Sequence, residues 1–246
     1  MTTYLHRIAA ALALAAATAS AGAQTPTAAT ANRGEKILMA YCMAGQGCTG
    51  QLTDWNVEDL QLLLPGTDAM KGAKDPILVF PRNKAGEWTY YVDTRRQLEE
   101  LHREFGGQGQ PQIVLFPPEL PGEIQPRDGR WTVAAQGDPV VKDCPRGVGE
   151  ALAGRTAMMR SGPVAFKRPF HGRQLIDNPA IHWLKTAPNR YAGALVTTGS
   201  QAMTFRYDVA VVGPERMDGQ SRVLVNIPGL KTCTITTSFR YQRTGN

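Results

Sequence analysis

Three side chains that can bind a divalent metal or move a proton lie close together in the second half of the chain: His171, Asp177 and His182. Imidazole and carboxylate groups are common zinc ligands, and a histidine close to a carboxylate can act as a general base. Their spacing matches no defined metal motif, so we assign no metal, no other cofactor and no catalytic residue. The group still defines an alternative function, a hydrolase or metal-dependent enzyme with its site near these residues.

The most distinctive chemical feature is a basic segment, because no Asp or Glu occurs between Glu150 and Asp177. Its basic side chains, interleaved with two phenylalanines, are Arg155, Arg160, Lys167, Arg168, His171 and Arg173. Such a segment can meet an anionic small molecule, lipid surface or polymer, and an ordinary solvated loop is the alternative. The candidate ligand-binding residues are therefore Arg160, Lys167, Arg168, His171 and Arg173. The segment resembles no nucleic-acid-binding motif, so nucleic acid is not an expected partner.

The four cysteines are Cys42, Cys48, Cys144 and Cys233, and four cysteines allow three pairings. Cys42 and Cys48 are close in sequence with two glycines between them, which favours a small local loop. That pairing leaves Cys144 with Cys233. Met39 and Met43 beside the first pair leave copper binding as an alternative to the disulfide.

Familiar catalytic motifs are missing. The chain contains no G-x-S-x-G nucleophile motif, no Walker sequence and no Cys-x-x-Cys. We therefore expect a protein that is not an enzyme, although the sequence alone leaves the matter open.

The first residues indicate the compartment. Arg7 precedes an apolar run at residues 8–17, and Ala21-Gly22-Ala23 is typical of a signal-peptide cleavage site. The run is too short for a membrane span, so we predict a signal peptide at residues 1–23 and a flexible leader at 24–33. The protein is thus expected to be exported, to the periplasm or the extracellular medium, where cysteines form disulfides. No other segment has 18 uninterrupted apolar residues, so we expect no transmembrane span in the mature chain.

Composition and periodicity predict an α+β fold. A hydrophobic fraction of 42% excludes a disordered chain. An N-terminal α+β domain is predicted over residues 34–120, with helices at 34–42, 55–64 and 94–105, and strands at 76–80, 87–92 and 112–116. The proline-dense stretch from 117 to 126 is predicted to be the boundary between domains.

The C-terminal part, residues 127–246, is predicted to be an antiparallel β-meander forming a curled or barrel-like sheet. Met203, Phe205 and Tyr207 alternate with polar residues, which is typical of a half-buried strand. Further strands are expected from 131 and at 181–185, 191–198, 222–227 and 232–242, with a longer loop at 213–220.

The leading functional hypothesis is an exported, non-enzymatic binding protein for an amphipathic or anionic ligand or an envelope component. Concave β surfaces commonly hold such ligands. An envelope protein–protein interaction module is a further alternative. Several aromatic residues are expected in the core or the wall of a cavity: Trp131, Trp183, Phe205, Tyr207 and Phe239.

Overall fold

The computed structural model describes residues 36–53, 55–148, 151, 161–196, 203–226 and 228–246. The predicted signal peptide, the leader and the candidate residues Arg155 and Arg160 lie outside these ranges. Within the described chain no helix has the length and apolar character needed to cross a membrane.

The first sheet is mixed, with strand order β4-β3-β1-β2-β5. Its strands are β1 (Leu38–Met43), β2 (Gly47–Leu52), β3 (Ile77–Arg82), β4 (Tyr91–Asp93) and β5 (Ile113–Val114). The neighbours β1 and β2 are antiparallel, as are β3 and β4, whereas β1 pairs in parallel with β3, and β2 with β5. The strands predicted at 76–80 and 87–92 therefore correspond to the antiparallel pair β3 and β4.

The predicted helix at residues 34–42 is wrong, because this segment contains strand β1. Met39 and Tyr41 pack into one apolar cluster, while Leu38 and Ala40 pack into another on the opposite face. A strand that is buried on both faces has a continuous apolar run, and short runs of this kind do not distinguish a strand from a helix.

Two of the predicted helices are present. Helix α1 (Val57–Leu63) follows the N-cap residue Asn56, whose Oδ1 accepts a hydrogen bond from the Asp59 amide at 2.8 Å. Helix α2 (Leu98–Glu104) begins later than the helix predicted at 94–105, because Gln97 is its N-cap. The Gln97 amide donates to Glu100 Oε2 at 3.0 Å, which is half of a capping box.

The second sheet has the strand order β8-β6-β13-β12-β11-β10-β9, and β7 also pairs with β13. Its strands are β6 (Gly129–Ala135), β7 (Val140–Lys142), β8 (Gly162–Val164), β9 (His182–Ala187), β10 (Arg190–Val196), β11 (Met203–Gly213), β12 (Arg216–Val225) and β13 (Cys233–Gly245). Strands β9 to β13 are consecutive antiparallel neighbours, which confirms the meander. The order runs from β8 at one edge to β9 at the other.

The predicted loop at 213–220 is wrong, because β11 and β12 form a long hairpin in which Val211 pairs with Met217. Only Pro214 and Glu215 separate the two strands. The strand was not recognised because Gly219 interrupts the alternation of apolar and polar side chains along β12.

The disulfides Cys42–Cys48 and Cys144–Cys233 are both present, with the pairing expected from the spacing. The first links neighbouring strands β1 and β2. The second links the start of β13 to the segment after β7, and its two cysteines are 89 positions apart. A cross-link over a loop of that length lowers the entropy of the unfolded chain, which stabilises the folded state by about 4–5 kcal/mol.

The two sheets share apolar contacts along β9. Leu184 packs into the same cluster as Met39 and Leu60, and the Tyr41 hydroxyl donates to the Lys185 carbonyl at 3.0 Å. Residues Asn32–Asn246 accordingly form one compact unit. The opposite face of the second sheet carries a separate core, which includes Trp131 and Tyr207.

Candidate functional site

The basic segment is anchored by its two phenylalanines. Phe166 and Phe170 are buried and make edge-to-face contacts with their neighbours, with ring centroids 5.4 Å apart for Trp131–Phe166 and 5.3 Å for Phe166–Phe170. Lys167 and Arg168 lie between these anchors in sequence and are exposed. The segment therefore buries its aromatic side chains and presents its charges to solvent.

Side-chain amides hold the backbone of this segment in place. Gln174 Oε1 accepts a hydrogen bond from the Lys167 amide at 2.6 Å, and its Nε2 donates to the Pro169 carbonyl at 3.3 Å. Gln125 Oε1 accepts from the Phe170 amide at 3.1 Å. These contacts satisfy backbone groups that have no partner in a sheet, so the loop is held by specific contacts on both sides of Arg168.

A cleft of about 740 Å³ lies along the segment, and we call it the basic cleft. It is lined by Phe116, Pro117, Ala165, Lys167, Arg168, Pro169, Phe170, His171, Arg173, Gln174, Asp177 and Lys185. Of the sequence-predicted ligand residues, Lys167, Arg168, His171 and Arg173 are thus brought to one cleft, while Arg160 lies outside the described residues.

Lys185 belongs to a buried ion pair at the wall of the basic cleft. Its Nζ atom lies 2.5 Å from Glu123 Oε1 and 2.9 Å from the Pro118 carbonyl oxygen. Neither partner is among the sequence-predicted site residues. Glu123 lies in the proline-dense stretch, and Lys185 lies in β9. The pair ties that stretch to the second sheet and leaves no net charge there.

His171 is an uncharged hydrogen-bond donor at neutral pH. Burial, followed by the charges of Arg173 and Lys185, lowers the pKa of His171 to about 4. Its Nδ1 accepts from the Arg173 amide at 3.2 Å, so the proton of the neutral ring is assigned to Nε2. Since Nδ1 is engaged and the ring is held edge-on to Tyr191 at 5.6 Å, His171 is better placed to donate a hydrogen bond than to act as a base.

A second pocket of about 700 Å³ adjoins the basic cleft, and we call it the tryptophan pocket. It is lined by Gln51, Leu52, Thr53, Trp55, Leu115, Phe116, Pro117, His171, Arg173, Ile176, Asp177, Asn178, Pro179, Ile181, His182 and Trp183. The wall shared with the basic cleft consists of Phe116, Pro117, His171, Arg173 and Asp177.

The residues of the alternative enzyme site, His171, Asp177 and His182, all line the tryptophan pocket. They do not form a metal site, because the described residues contain no group of three or more His, Cys, Asp or Glu side chains that could hold a metal ion. His182 is exposed and lies edge-on to Trp55, with ring centroids 5.5 Å apart. At the other candidate metal cluster both cysteines are in a disulfide, which leaves no thiolate for copper.

Leu115 and Phe116 form an exposed apolar pair that sequence reasoning missed. Leu115 lines the tryptophan pocket, and Phe116 lines both pockets. The predicted strand at 112–116 ends at Val114, so the next two side chains leave the sheet with 71% and 67% of their surface exposed. The following Pro117-Pro118 was the available signal, because proline cannot continue a strand ladder. The Arg173 guanidinium lies 6.0 Å from the centre of the Phe116 ring, within cation–π distance.

The fold and the site together define a β-rich protein with two sheets and two disulfides within the chain. An open cationic cleft lies beside the meander. No protein-family model, curated protein or solved structure matches the chain.

Proposed function

We propose that this chain is an exported, non-enzymatic binding protein that holds an anionic amphipathic molecule in the basic cleft. The observation that carries the proposal is the composition of this single cleft, which combines apolar walls with the cations Lys167, Arg168 and Arg173. Its volume of about 740 Å³ falls in the range that suits a small-molecule ligand.

The charge of the cleft favours an anion. In the described chain no carboxylate forms a salt bridge with Lys167, Arg168 or Arg173, and Asp177 is the acid that lines the cleft beside them. Lys185 is already neutralised by Glu123. An anionic headgroup would therefore contact the exposed cations, and His171 Nε2–H would add an uncharged donor.

The walls favour an apolar chain or ring attached to that anion. Phe170, Pro169, Ala165 and Pro117 are apolar lining residues, and Phe116 is largely exposed. A ligand that covered Phe116 would remove apolar surface from water, which is favourable. The two disulfides are typical of a protein in an oxidising compartment, which supports the exported location.

The alternative of a hydrolase near His171, Asp177 and His182 has less support. These side chains line one pocket, yet His171 Nδ1 already accepts a hydrogen bond from the Arg173 amide, and the His182 ring makes a T-shaped contact with Trp55. This arrangement pairs neither histidine with a nucleophile that it could activate.

The proposal is tested by calorimetric titration with decyl phosphate below its micelle-forming concentration. We expect decyl phosphate to bind more tightly than the uncharged decyl maltoside and more tightly than inorganic phosphate, because headgroup and chain both contribute. The Lys167→Ala/Arg168→Ala double variant should lower the affinity by about tenfold or more, as expected when charged contacts are lost.

The matched control is Arg130→Ala/Lys142→Ala, which removes one arginine and one lysine that are exposed and do not line the basic cleft. It should leave the affinity unchanged. Equal binding of decyl maltoside, or equal losses in the two double variants, would contradict the proposal.

A further inference from the structure

We propose that the mouth of the basic cleft docks on an anionic lipid bilayer, with Leu115 and Phe116 inserted among the headgroups and Lys167, Arg168 and Arg173 against the lipid phosphates. We call these five residues the docking surface. It goes beyond the proposed binding of a single small molecule, since it assigns a partner to the outside of the cleft.

The apolar part of the docking surface is unusually exposed. Leu115 is 71% and Phe116 is 67% exposed, and Ile113 on the edge strand β5 adds a third apolar side chain at 39%. Single exposed apolar residues are ordinary, but neighbouring ones that form a patch indicate an interaction site. Because β5 is an edge strand, no further strand of the described chain covers this side of the first sheet.

The cationic part lies directly beside the apolar pair. Arg173 holds its guanidinium 6.0 Å from the centre of the Phe116 ring, while Lys167 and Arg168 line the same cleft as Phe116. Asp177 is the acidic side chain on this wall. The net charge is therefore positive beside the exposed apolar side chains, which favours a negatively charged partner.

The two parts are held on the same side of the molecule by the buried groups beneath them. Phe166 and Phe170 fix the basic segment in the core, and the Gln174 side chain bonds to backbone groups of Lys167 and Pro169. The Lys185–Glu123 pair connects the strand beneath to the proline-dense stretch that follows Phe116.

A bilayer fits this combination better than a soluble polyanion does. A polyanion would need only the cations, and it would leave Leu115 exposed to water. A membrane interface accepts both, since apolar side chains enter the region below the headgroups while basic residues meet anionic lipids. The basic cleft would then face the membrane, which is the place where amphipathic molecules concentrate.

The experiment measures co-sedimentation of the full mature chain with vesicles of phosphatidylcholine alone and with vesicles that also contain phosphatidylglycerol. We expect binding only to the anionic vesicles, and we expect it to weaken strongly in about 1 M salt, where charges are screened within a few ångströms. Leu115→Ser should lower the binding constant about tenfold, which corresponds to removing one large apolar side chain from the interface. The control Leu230→Ser changes a leucine that is 59% exposed on the β12–β13 turn and should have no effect.

The cationic arm uses Lys167→Ala/Arg168→Ala against the control Arg130→Ala/Lys142→Ala. Each basic residue near the membrane surface raises the binding constant for anionic vesicles roughly fivefold. The first double variant, which removes two, should therefore lower that constant by about tenfold or more. Absence of binding to anionic vesicles would overturn the proposal, as would equal binding to both vesicle types. Binding that responds to the cations but not to Leu115→Ser, and is matched by dextran sulfate, would assign the surface to a soluble polyanion instead.

Failure of this proposal is distinguishable from failure of the ligand-binding proposal. Leu115 does not line the basic cleft, so Leu115→Ser should leave the affinity for decyl phosphate unchanged. Vesicle binding without decyl phosphate binding would support the docking surface alone, whereas decyl phosphate binding without vesicle binding would support the cleft alone.

Discussion

The Nζ atom of Lys185 lies 2.5 Å from Glu123 Oε1, and the two side chains are only 3% and 16% exposed. The contact joins strand β9 to the proline-dense stretch, across 62 positions of the chain. It therefore fixes one wall of the basic cleft, while the exposed cations provide the charge.

The first prediction concerns this ion pair. Glu123→Gln should lower the free energy of unfolding by about 3 kcal/mol, because it leaves the buried Lys185 ammonium without a counter-charge. The double variant Glu123→Gln/Lys185→Met should be less destabilised than the single variant, since it removes the unpaired charge as well. Urea denaturation measures both differences.

A surface ion pair serves as the comparison. Arg127 and Glu215 are bridged at 3.1 Å with 66% and 45% of their side chains exposed, and Arg127→Ala should cost at most about 1 kcal/mol. If Glu123→Gln were no more destabilising than Arg127→Ala, the buried pair would not hold the cleft wall.

The second prediction concerns pH. The pKa of His171 is lowered to about 4, whereas an unfolded histidine titrates near 6.5. Between these values the unfolded chain binds more protons than the folded chain, so stability falls as the pH drops from about 6.5 towards 4. Titration of this one group lowers the free energy of unfolding by about 3 kcal/mol in total. Above about pH 6.5 the ring is uncharged in both states, so the group causes no further change.

His171→Asn keeps an acceptor for the Arg173 amide and removes the titrating ring. Urea denaturation across that pH range should show a smaller loss for His171→Asn than for the unmodified chain. His182→Asn, which changes an exposed histidine, should leave the pH dependence as it is. If the free energy of unfolding fell with pH to the same extent in the unmodified chain and in His171→Asn, His171 would not be the responsible group.

The third prediction concerns the packing behind the tryptophan pocket. Gly193 lies between Trp183 and Tyr207 in the sheet register, and a Cβ atom there would lie 2.9 Å from Trp183 Cε3. Gly193→Ala should therefore destabilise the protein by about 1–3 kcal/mol, because the buried indole has little room to move. The change is measured by urea denaturation followed by tryptophan fluorescence.

Gly213→Ala is the matched control at the end of β11, where a Cβ atom would have nothing within 4 Å. Its effect should stay within about 0.5 kcal/mol, as for other surface substitutions. Equal effects of the two substitutions would mean that Trp183 is not tightly packed against β10.

The second sheet was predictable where a strand carries its own period-two pattern. Met203, Phe205 and Tyr207 alternate with polar residues, and the strand that they predict is present. The hairpin turn at Pro214-Glu215 was missed, since Gly213 and Gly219 interrupt that alternation on both sides. Strand β1 was misassigned as a helix because both its faces are buried, so no alternation was visible.

The candidate site was only partly predictable. The basic segment was recognised from local charge, and Lys167, Arg168, His171 and Arg173 do line one cleft. The remaining walls come from Phe116, Pro117 and Lys185, which no local pattern connects to that segment. His171, Asp177 and His182, which are close in sequence, all line the tryptophan pocket, but the described residues contain no group of three that could hold a metal ion.

The sequence by itself determined the features that depend on neighbouring residues. These are the short Cys42–Cys48 loop, the pairing that it leaves for Cys144 and Cys233, the alternating strands and the excess of positive charge. Only the tertiary structure decided which distant segments meet. Lys185 became buried against Glu123 because β9 packs beside the proline-dense stretch, and Leu115 and Phe116 became exposed because β5 ends at the sheet edge. Burial depends on which surfaces cover a residue, and those surfaces come from parts of the chain that a local pattern does not contain.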